Sequence, residues 1–291
     1  MMNASGKNEK LPSAAVQDHR RTYLDFFYVY PVISRRSRGL SIGINLNPDK
    51  ICNFDCIYCE VDRITPPIIK TVDINILKDE LTKTIEIIKS GDLSKNWRFQ
   101  NTDISQIKDI AFSGDGEPTM VDNFSAYVKT VADVRKEQRL DTTKIVLITN
   151  ATGLDKSDVR KGLKILDENN GEIWGKLDAG TESYYKLVNR SNVKFERILK
   201  NLLLTAQERP IVIQSLFLKV HGNIMPDDEL QSYCERLKEL VKAGAKIKEV
   251  HAYTVARPTP LPYATRLNPD ELAVIAEKIR KNTGLTVYEF P

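Results

Sequence analysis

The chain has 291 residues, 41% hydrophobic and 28% charged, with 43 basic against 39 acidic residues for a formal net charge of +4. This is the composition of an ordinary soluble globular protein of one large or two modest domains, and its mild basicity permits an anionic substrate without demanding one. No apolar run is long enough to span a bilayer, the N-terminus lacks the apolar core of a secretory signal, and four cysteines make a poor disulfide framework at this length, so a reducing, cytoplasmic setting is expected.

Residues 1–20 are polar and aperiodic and are expected to be disordered, leaving 21–291 as the folded core. From there the chain alternates between two textures. Short β-branched runs recur at 40–46 (LSIGINL), 107–113, 144–149, 172–178, 211–219 and 248–255. Between them lie stretches with helical spacing. Ile74, Leu77, Leu81, Ile85 and Ile88 form one stripe behind the capping residue Asp73; Phe195, Ile198, Leu199, Leu202 and Leu203 form another. A third helix has both ends marked, by Asn268-Pro269 before Leu272, Ile275 and Ile279, and by Gly284 after them. About six alternations of strand and helix force parallel strand neighbours with helices covering the sheet. Six units are too few for the usual eight-stranded barrel, so the expected fold is α/β, a partial (β/α)6 barrel of parallel strands, with 286–290 as a possible extra strand. No linker divides the core.

In parallel α/β folds, ligands gather where loops leave the C-terminal ends of the strands. Those ends carry the cysteine loop, then SGDGEPTM, TNATG, KLDAGT, KVHGN and YTVARPTPLP. Turn chemistry accounts for the glycines and for Asn150. It accounts less well for Glu117 between Gly116 and Pro118, or for Lys176 and Asp178 in an otherwise apolar run.

Cys52, Cys56 and Cys59 fall within eight residues, and three readings of them compete. A structural zinc site needs a fourth Cys or His. The fourth cysteine, Cys234, sits on a helical stripe with Leu230, Leu237 and Val241 and reads as a core residue. His19 lies in the N-terminal segment, and His221 and His251 belong to distant strands, where a structural histidine is the default. A closed electron-transfer cluster also wants four thiolates. A four-iron cluster on three cysteines, with one iron open to a second molecule, is the reading in which three is the right number.

The C-x3-C-x2-C motif after the first strand, Tyr58 just before its third cysteine, and GDGEP after the second strand together resemble the radical S-adenosylmethionine superfamily, whose corresponding segment is Gly-Gly-Glu-Pro. The resemblance runs from about residue 35 to 290. Within that superfamily, the stretch PVISRRSRGLSIGINLNPDKICNFDCIYC and the later YTVARP look similar to an uncharacterised group of iron–sulfur oxidoreductases related to the wybutosine-synthesising enzymes of tRNA. The sequence shows no upstream cysteines for the second cluster of those tRNA enzymes, so a single-cluster enzyme is expected, without their flavodoxin-like extension or the cysteine-rich C-terminal domain of peptide-modifying relatives.

The resemblance implies that Cys52, Cys56 and Cys59 hold a [4Fe-4S] cluster whose fourth iron binds S-adenosyl-L-methionine. One electron, from a low-potential donor of the flavodoxin or ferredoxin type, would then yield methionine and a 5′-deoxyadenosyl radical that takes hydrogen from the substrate. By position, Tyr58 would pack the adenine. Gly114, Asp115, Gly116 and Glu117 would receive the methionyl amine. Asn150, Lys176, Asp178 and Gln214 would meet the ribose and the methionyl carboxylate, and Tyr253 the adenine edge. The plainer reading of Lys176 and Asp178 is a buried ion pair, and of Gln214 a bond to backbone. Arg35, Arg36, Arg38 and Arg257 suit phosphate groups or a solvated basic turn equally, and no RNA-binding module accompanies them. The substrate class, tRNA, small molecule or peptide, stays open. Two other classes also stay open: a zinc-stabilised nucleic-acid-binding protein and a simple electron-transfer protein.

Overall fold

The computed structural model describes residue 21, residues 23–100 and residues 103–291; the N-terminal segment 1–20, with His19, lies outside them. Its centre is an eight-stranded sheet that follows chain order almost without exception. β1 (Val29–Ser34) and β2 (Gly39–Ile44) form an antiparallel hairpin. From β2 onward every pairing is parallel: β3 (Ile107–Phe112), β4 (Lys144–Thr149), β5 (Gly171–Lys176), β6 (Ile211–Leu216), β8 (Ile247–Tyr253) and β10 (Val287–Phe290).

The connections are helical, as parallel crossovers require. α1 (Ile74–Lys89) buries Leu77, Leu81, Ile85 and Ile88, and Asp73 caps it by accepting from the backbone N–H groups of Asn75 and Ile76 at 2.8 and 3.2 Å. α2 (Phe124–Glu137), α3 (Ser157–Asp167), α4 (Glu182–Asn189), α5 (Phe195–Glu208) and α6 (Asp227–Lys242) follow. α7 (Pro269–Thr283) has a full capping box between Asn268 and Glu271, and Gly284 closes it in the left-handed region at φ 71°. A cap of this kind contributes about 1 kcal/mol. Cys234, on α6, is wholly buried among core side chains, whereas Val241 at the end of that helix is exposed.

Three features differ from the sequence reading. β1 was not foreseen, because Pro31 interrupts its pattern; it tolerates the proline since its other edge is unpaired. The run 211–219 breaks at Phe217, and the short β7 (Leu218–Val220) leaves the sheet to pair antiparallel with β9 (Ala264–Arg266). The strand expected over 172–178 ends at Lys176, so Asp178 stands in the loop beyond it. The terminal strand is present as β10, parallel to β8.

The sheet curls into a half-barrel. The β1–β2 turn lies on one edge, yet Arg35 there donates to the carbonyls of Thr254 (3.1 Å) and Phe290 (3.3 Å), beside the far edge. The next arginine but one, Arg38, lies 5.2 Å from the ring of Tyr288 on β10. The inner face carries a small apolar group, Ala111, Val146, Trp174 and Val212, rather than a filled core, which leaves space above it. Among the described residues no helix is long and apolar enough to cross a membrane.

Candidate functional site

That space is a cavity of about 320 Å³ at the C-terminal ends of the strands; every residue named from the sequence for the cluster or the cofactor lines it except Asp178, and of the four arginines Arg38 does not. The loop after β2 brings the cysteines, and the loop after β3 is packed directly on it. The backbones run too close for side chains at two points. A Cβ on Gly114 would stand 2.2 Å from Asn45 Oδ1, and one on Gly116 would stand 2.0 Å from the Ile51 carbonyl oxygen. Glu117 N–H also donates to that carbonyl at 3.2 Å. Asp115 accepts from Asn45 Nδ2 at 2.8 Å and pairs with Arg21.

All three cysteines are free thiols, and each sulfur faces an N–H donor. Cys52 Sγ accepts from Phe54 N–H at 3.4 Å and from Asn150 Nδ2 at 3.8 Å. Cys56 Sγ accepts from Asn189 Nδ2 at 3.4 Å, and Cys59 Sγ from Arg63 Nη2 at 3.8 Å. Burial pushes the Cys56 thiol up to about 12, outweighing the nearby Lys176 cation. Burial raises Cys52 as well, with Glu117 and Cys59 adding to it. Among the described residues no three His, Cys, Asp or Glu side chains converge to hold a single metal ion.

Glu117 is buried, and its carboxylate looks inward as well as toward the cavity. One oxygen accepts from Thr119 N–H (3.1 Å), Thr119 Oγ1 (2.6 Å) and Thr149 Oγ1; the other accepts from Asn150 N–H (2.7 Å). It thereby locks the β3 loop to the end of β4. Asn150 extends the lock to the cysteine loop, donating to Asn53 Oδ1 at 2.8 Å. Burial raises the Glu117 carboxyl despite these donors, which act to lower it.

On the opposite wall, Lys176 Nζ donates to Tyr253 OH at 2.7 Å and stands 3.4 Å from Asp178, so the buried ion pair is present. Its ammonium lies 5.0 Å from the ring centre of Tyr58 and 5.3 Å from that of Tyr253. Burial acts to lower the Lys176 value, but Asp178, Tyr253 and Cys56 outweigh it and hold the ammonium charged. Asp178 sits behind this layer: it accepts from Tyr58 OH, from Asn189 Nδ2 at 2.8 Å and from Leu216 N–H at 2.9 Å. The side chain of Gln214, wholly buried, bonds an arginine rather than backbone: its Oε1 accepts from Arg36 Nη1 at 3.0 Å. Arg257 pairs with Glu60 at the cavity wall.

Sequence reasoning missed Asn189, which bonds Cys56, Tyr58 and Asp178 together, and Arg63 beside Cys59. It also missed Trp174 on the cavity floor. Arg63 was within reach of a reading that looked four residues past the last cysteine; nothing in the sequence ties Asn189 to Cys56. The two histidines lie apart from the thiols: His221 stacks on Tyr263 at 4.5 Å, and His251 is buried and bonded to Glu249 at 2.7 Å.

No family model matches the chain. It is 24% identical over 288 residues to a protein named GTPase Obg from Brachyspira hyodysenteriae, a match covering 97% of this chain and 38% of that one. It is 26% identical over 253 residues to the UPF0026 protein MJ1312 of Methanocaldococcus jannaschii, covering 85% and 68%. A UPF0026 protein of Helicobacter pylori strain J99 is 26% identical over 246 residues, covering 83% and 70%. The chain thus spans little more than a third of the first of these relatives. Among solved structures, one titled as the crystal structure of archaeal TYW1 aligns with a TM-score of 0.48 and 16% identity over 84% of this chain and 72% of that one.

Proposed function

We propose that this chain is a radical S-adenosylmethionine enzyme whose core, residues 21–291, is a partial (β/α)6 barrel holding one [4Fe-4S] cluster on Cys52, Cys56 and Cys59. The observation that carries the reading is the set of three free thiols at the cavity mouth, each with its own N–H donor and, among the described residues, without a fourth cysteine or histidine beside them. A single zinc ion needs its ligands gathered at about 2.3 Å from one point. A multi-iron cluster takes each thiolate at a different iron, so its ligands need not converge, and the residues present fit that group. Bound there, such a cluster would supply the electron for reductive cleavage of S-adenosylmethionine, the source of a radical able to take hydrogen from a substrate.

The chain's own residues do the rest. N–H donors on the sulfurs favour the thiolate form and tune what it binds. Cys56 must lose a proton from a buried thiol before it can act as a ligand. Gly114 and Gly116 let two loops touch, which brings the Gly114–Glu117 backbone against the cysteine loop. In this reading that backbone, with the remaining lone pair of Glu117, receives the methionyl amine. Lys176 and Asn150 serve the methionyl carboxylate and ribose, Tyr58 and Tyr253 flank the adenine, and Asp178 orients Tyr58 and Lys176 from behind. Tyr58 and Tyr253, both buried, give the reacting groups an aromatic wall that limits water there. The reading requires a reducing setting such as the cytoplasm and a low-potential electron donor.

Anaerobic reconstitution tests it. About four irons per chain and 5′-deoxyadenosine formed with dithionite and S-adenosylmethionine are expected. One tightly held zinc and no iron would refute it.

A further inference from the structure

The inner end of the cavity holds polar groups to which the function proposed above gives no role, among them Gln214, which the resemblance offers to S-adenosylmethionine but whose oxygen is engaged by Arg36. Arg36 enters from the β1–β2 turn, half-buried, with its guanidinium 4.8 Å from the ring centre of Tyr253 and 5.8 Å from that of Trp174. It donates to Gln214 Oε1 but makes no ion pair with any carboxylate among the described residues. Gln214 has no exposed surface, and with its oxygen taken by Arg36 its Nε2 is left without an acceptor. Trp174, 4% exposed, has its indole N–H likewise unpartnered. Both side chains line the cavity. Native proteins pair nearly all buried donors, so two side-chain N–H groups without an acceptor, on either side of a half-buried guanidinium, mark where an oxyanion would be received.

The place is separate from the thiols. Trp174 precedes Lys176 by two residues on β5, which sets it about 6.6 Å deeper into the half-barrel than the Lys176–Tyr58–Tyr253 layer. Gln214 is in register with Lys176 on the neighbouring strand but turns its amide to Arg36. Arg35, bonded to the Thr254 and Phe290 carbonyls, fixes the turn that delivers Arg36.

We infer that Arg36, Gln214 and Trp174 form a subsite that receives a carboxylate of the substrate. The charge decides between oxyanions. A phosphate monoester brings nearly two negative charges to a floor with one arginine, whose charge already acts on the buried carboxyl of Asp109, itself engaged by Ser41. A carboxylate brings one charge and matches the planar fork of a guanidinium. The aromatic faces of Trp174 and Tyr253 add flat apolar walls for whatever carries it. As a substrate subsite this rests on the function proposed above; as a binding site it stands on the donors alone.

The test reads Trp174 emission in full-length protein carrying Trp97→Phe, which leaves Trp174 as the sole indole, in metal-free and reconstituted forms. Benzoate and butyrate are titrated against methyl phosphate and uncharged benzamide at equal ionic strength. Saturable responses to a carboxylate are expected, weakened tenfold or more by Arg36→Gln and by Gln214→Leu, with methyl phosphate and benzamide at least tenfold poorer. Arg36→Lys keeps the charge without the fork and guards against a folding defect; it should bind between wild type and Arg36→Gln. Equal binding of methyl phosphate or benzamide, no saturation by about 50 mM carboxylate, or unchanged affinity in Arg36→Gln would each overturn the assignment. Iron content and 5′-deoxyadenosine yield are measured on the same protein. Intact yield without carboxylate binding sinks the subsite alone, and carboxylate binding without iron sinks the enzyme reading alone.

Discussion

Replacing Glu117 by alanine removes the acceptor for four donors at once. The Thr119 and Thr149 hydroxyls can turn elsewhere, but the backbone N–H groups of Thr119 and Asn150 cannot. Each buried amide left without a partner costs about 1–3 kcal/mol, so the substitution should destabilise by about 2–6 kcal/mol, a large share of a typical total of about 5–15. Glu117→Gln keeps the volume and one carbonyl oxygen but turns an NH2 toward Asn150 N–H, and should cost about 1–3 kcal/mol. The sign of the pH dependence follows from burial. The folded carboxyl lies above its unfolded value, so folding takes up a proton between the two. Stability from this group is therefore full below the unfolded value of about 4.3 and falls as pH rises through the folded value. Urea unfolding of wild type and both variants across pH 4 to 8 measures all of this, in units of about 1.4 kcal/mol per pH unit for one proton. A Glu117→Ala protein within about 1 kcal/mol of wild type, or a Glu117→Gln protein whose pH slope matches wild type, would refute the argument.

Three further outcomes are expected. In metal-free protein at pH 8, a Cys56 value near 12 against an ordinary 9.0 leaves about a thousandfold less thiolate; iodoacetamide labelling with peptide mapping should find Cys56 far slower than an open thiol, its rate rising tenfold per pH unit. Asn189→Leu strips one donor from Asp178 and one from Cys56, and should cost about 1–3 kcal/mol in urea unfolding while lowering the reduction potential of the reconstituted protein. Cys234→Ala should lose about 1 kcal/mol from a small core cavity while iron per chain, measured by a chelator assay, stays at the wild-type level; a drop in iron would make it a ligand.

The alternation of strands and helices was legible because period 2 and period 3.6 differ plainly over runs such as 144–149 and 74–88, and the caps at Asp73, Asn268 and Gly284 rest on local chemistry that needs no tertiary context. The gathering of the polar loops at one mouth was legible too, since parallel strands put all their C-terminal ends on one side. What escaped depends on which atoms meet across the barrel. Asn189 lies 133 residues from Cys56, and no local pattern links them. Glu117 could be assigned to the mouth from its place after β3, but not the fact that four interior donors already engage its oxygens. The orphaned donors of Gln214 and Trp174 arise only when Arg36 arrives from the far hairpin.

Chain-ordered strands also bear on how the protein is made. As each segment leaves the ribosome, its docking edge is the strand synthesised just before it, so the sheet can grow vectorially without waiting for distant partners. The contacts that must wait are those joining the first hairpin to the last strand, Arg35 reaching the Phe290 carbonyl and Arg38 over the Tyr288 ring. Truncation of the final four residues would therefore leave a nearly complete sheet whose seam is held only by Arg35 on Thr254 and Arg36 on Gln214.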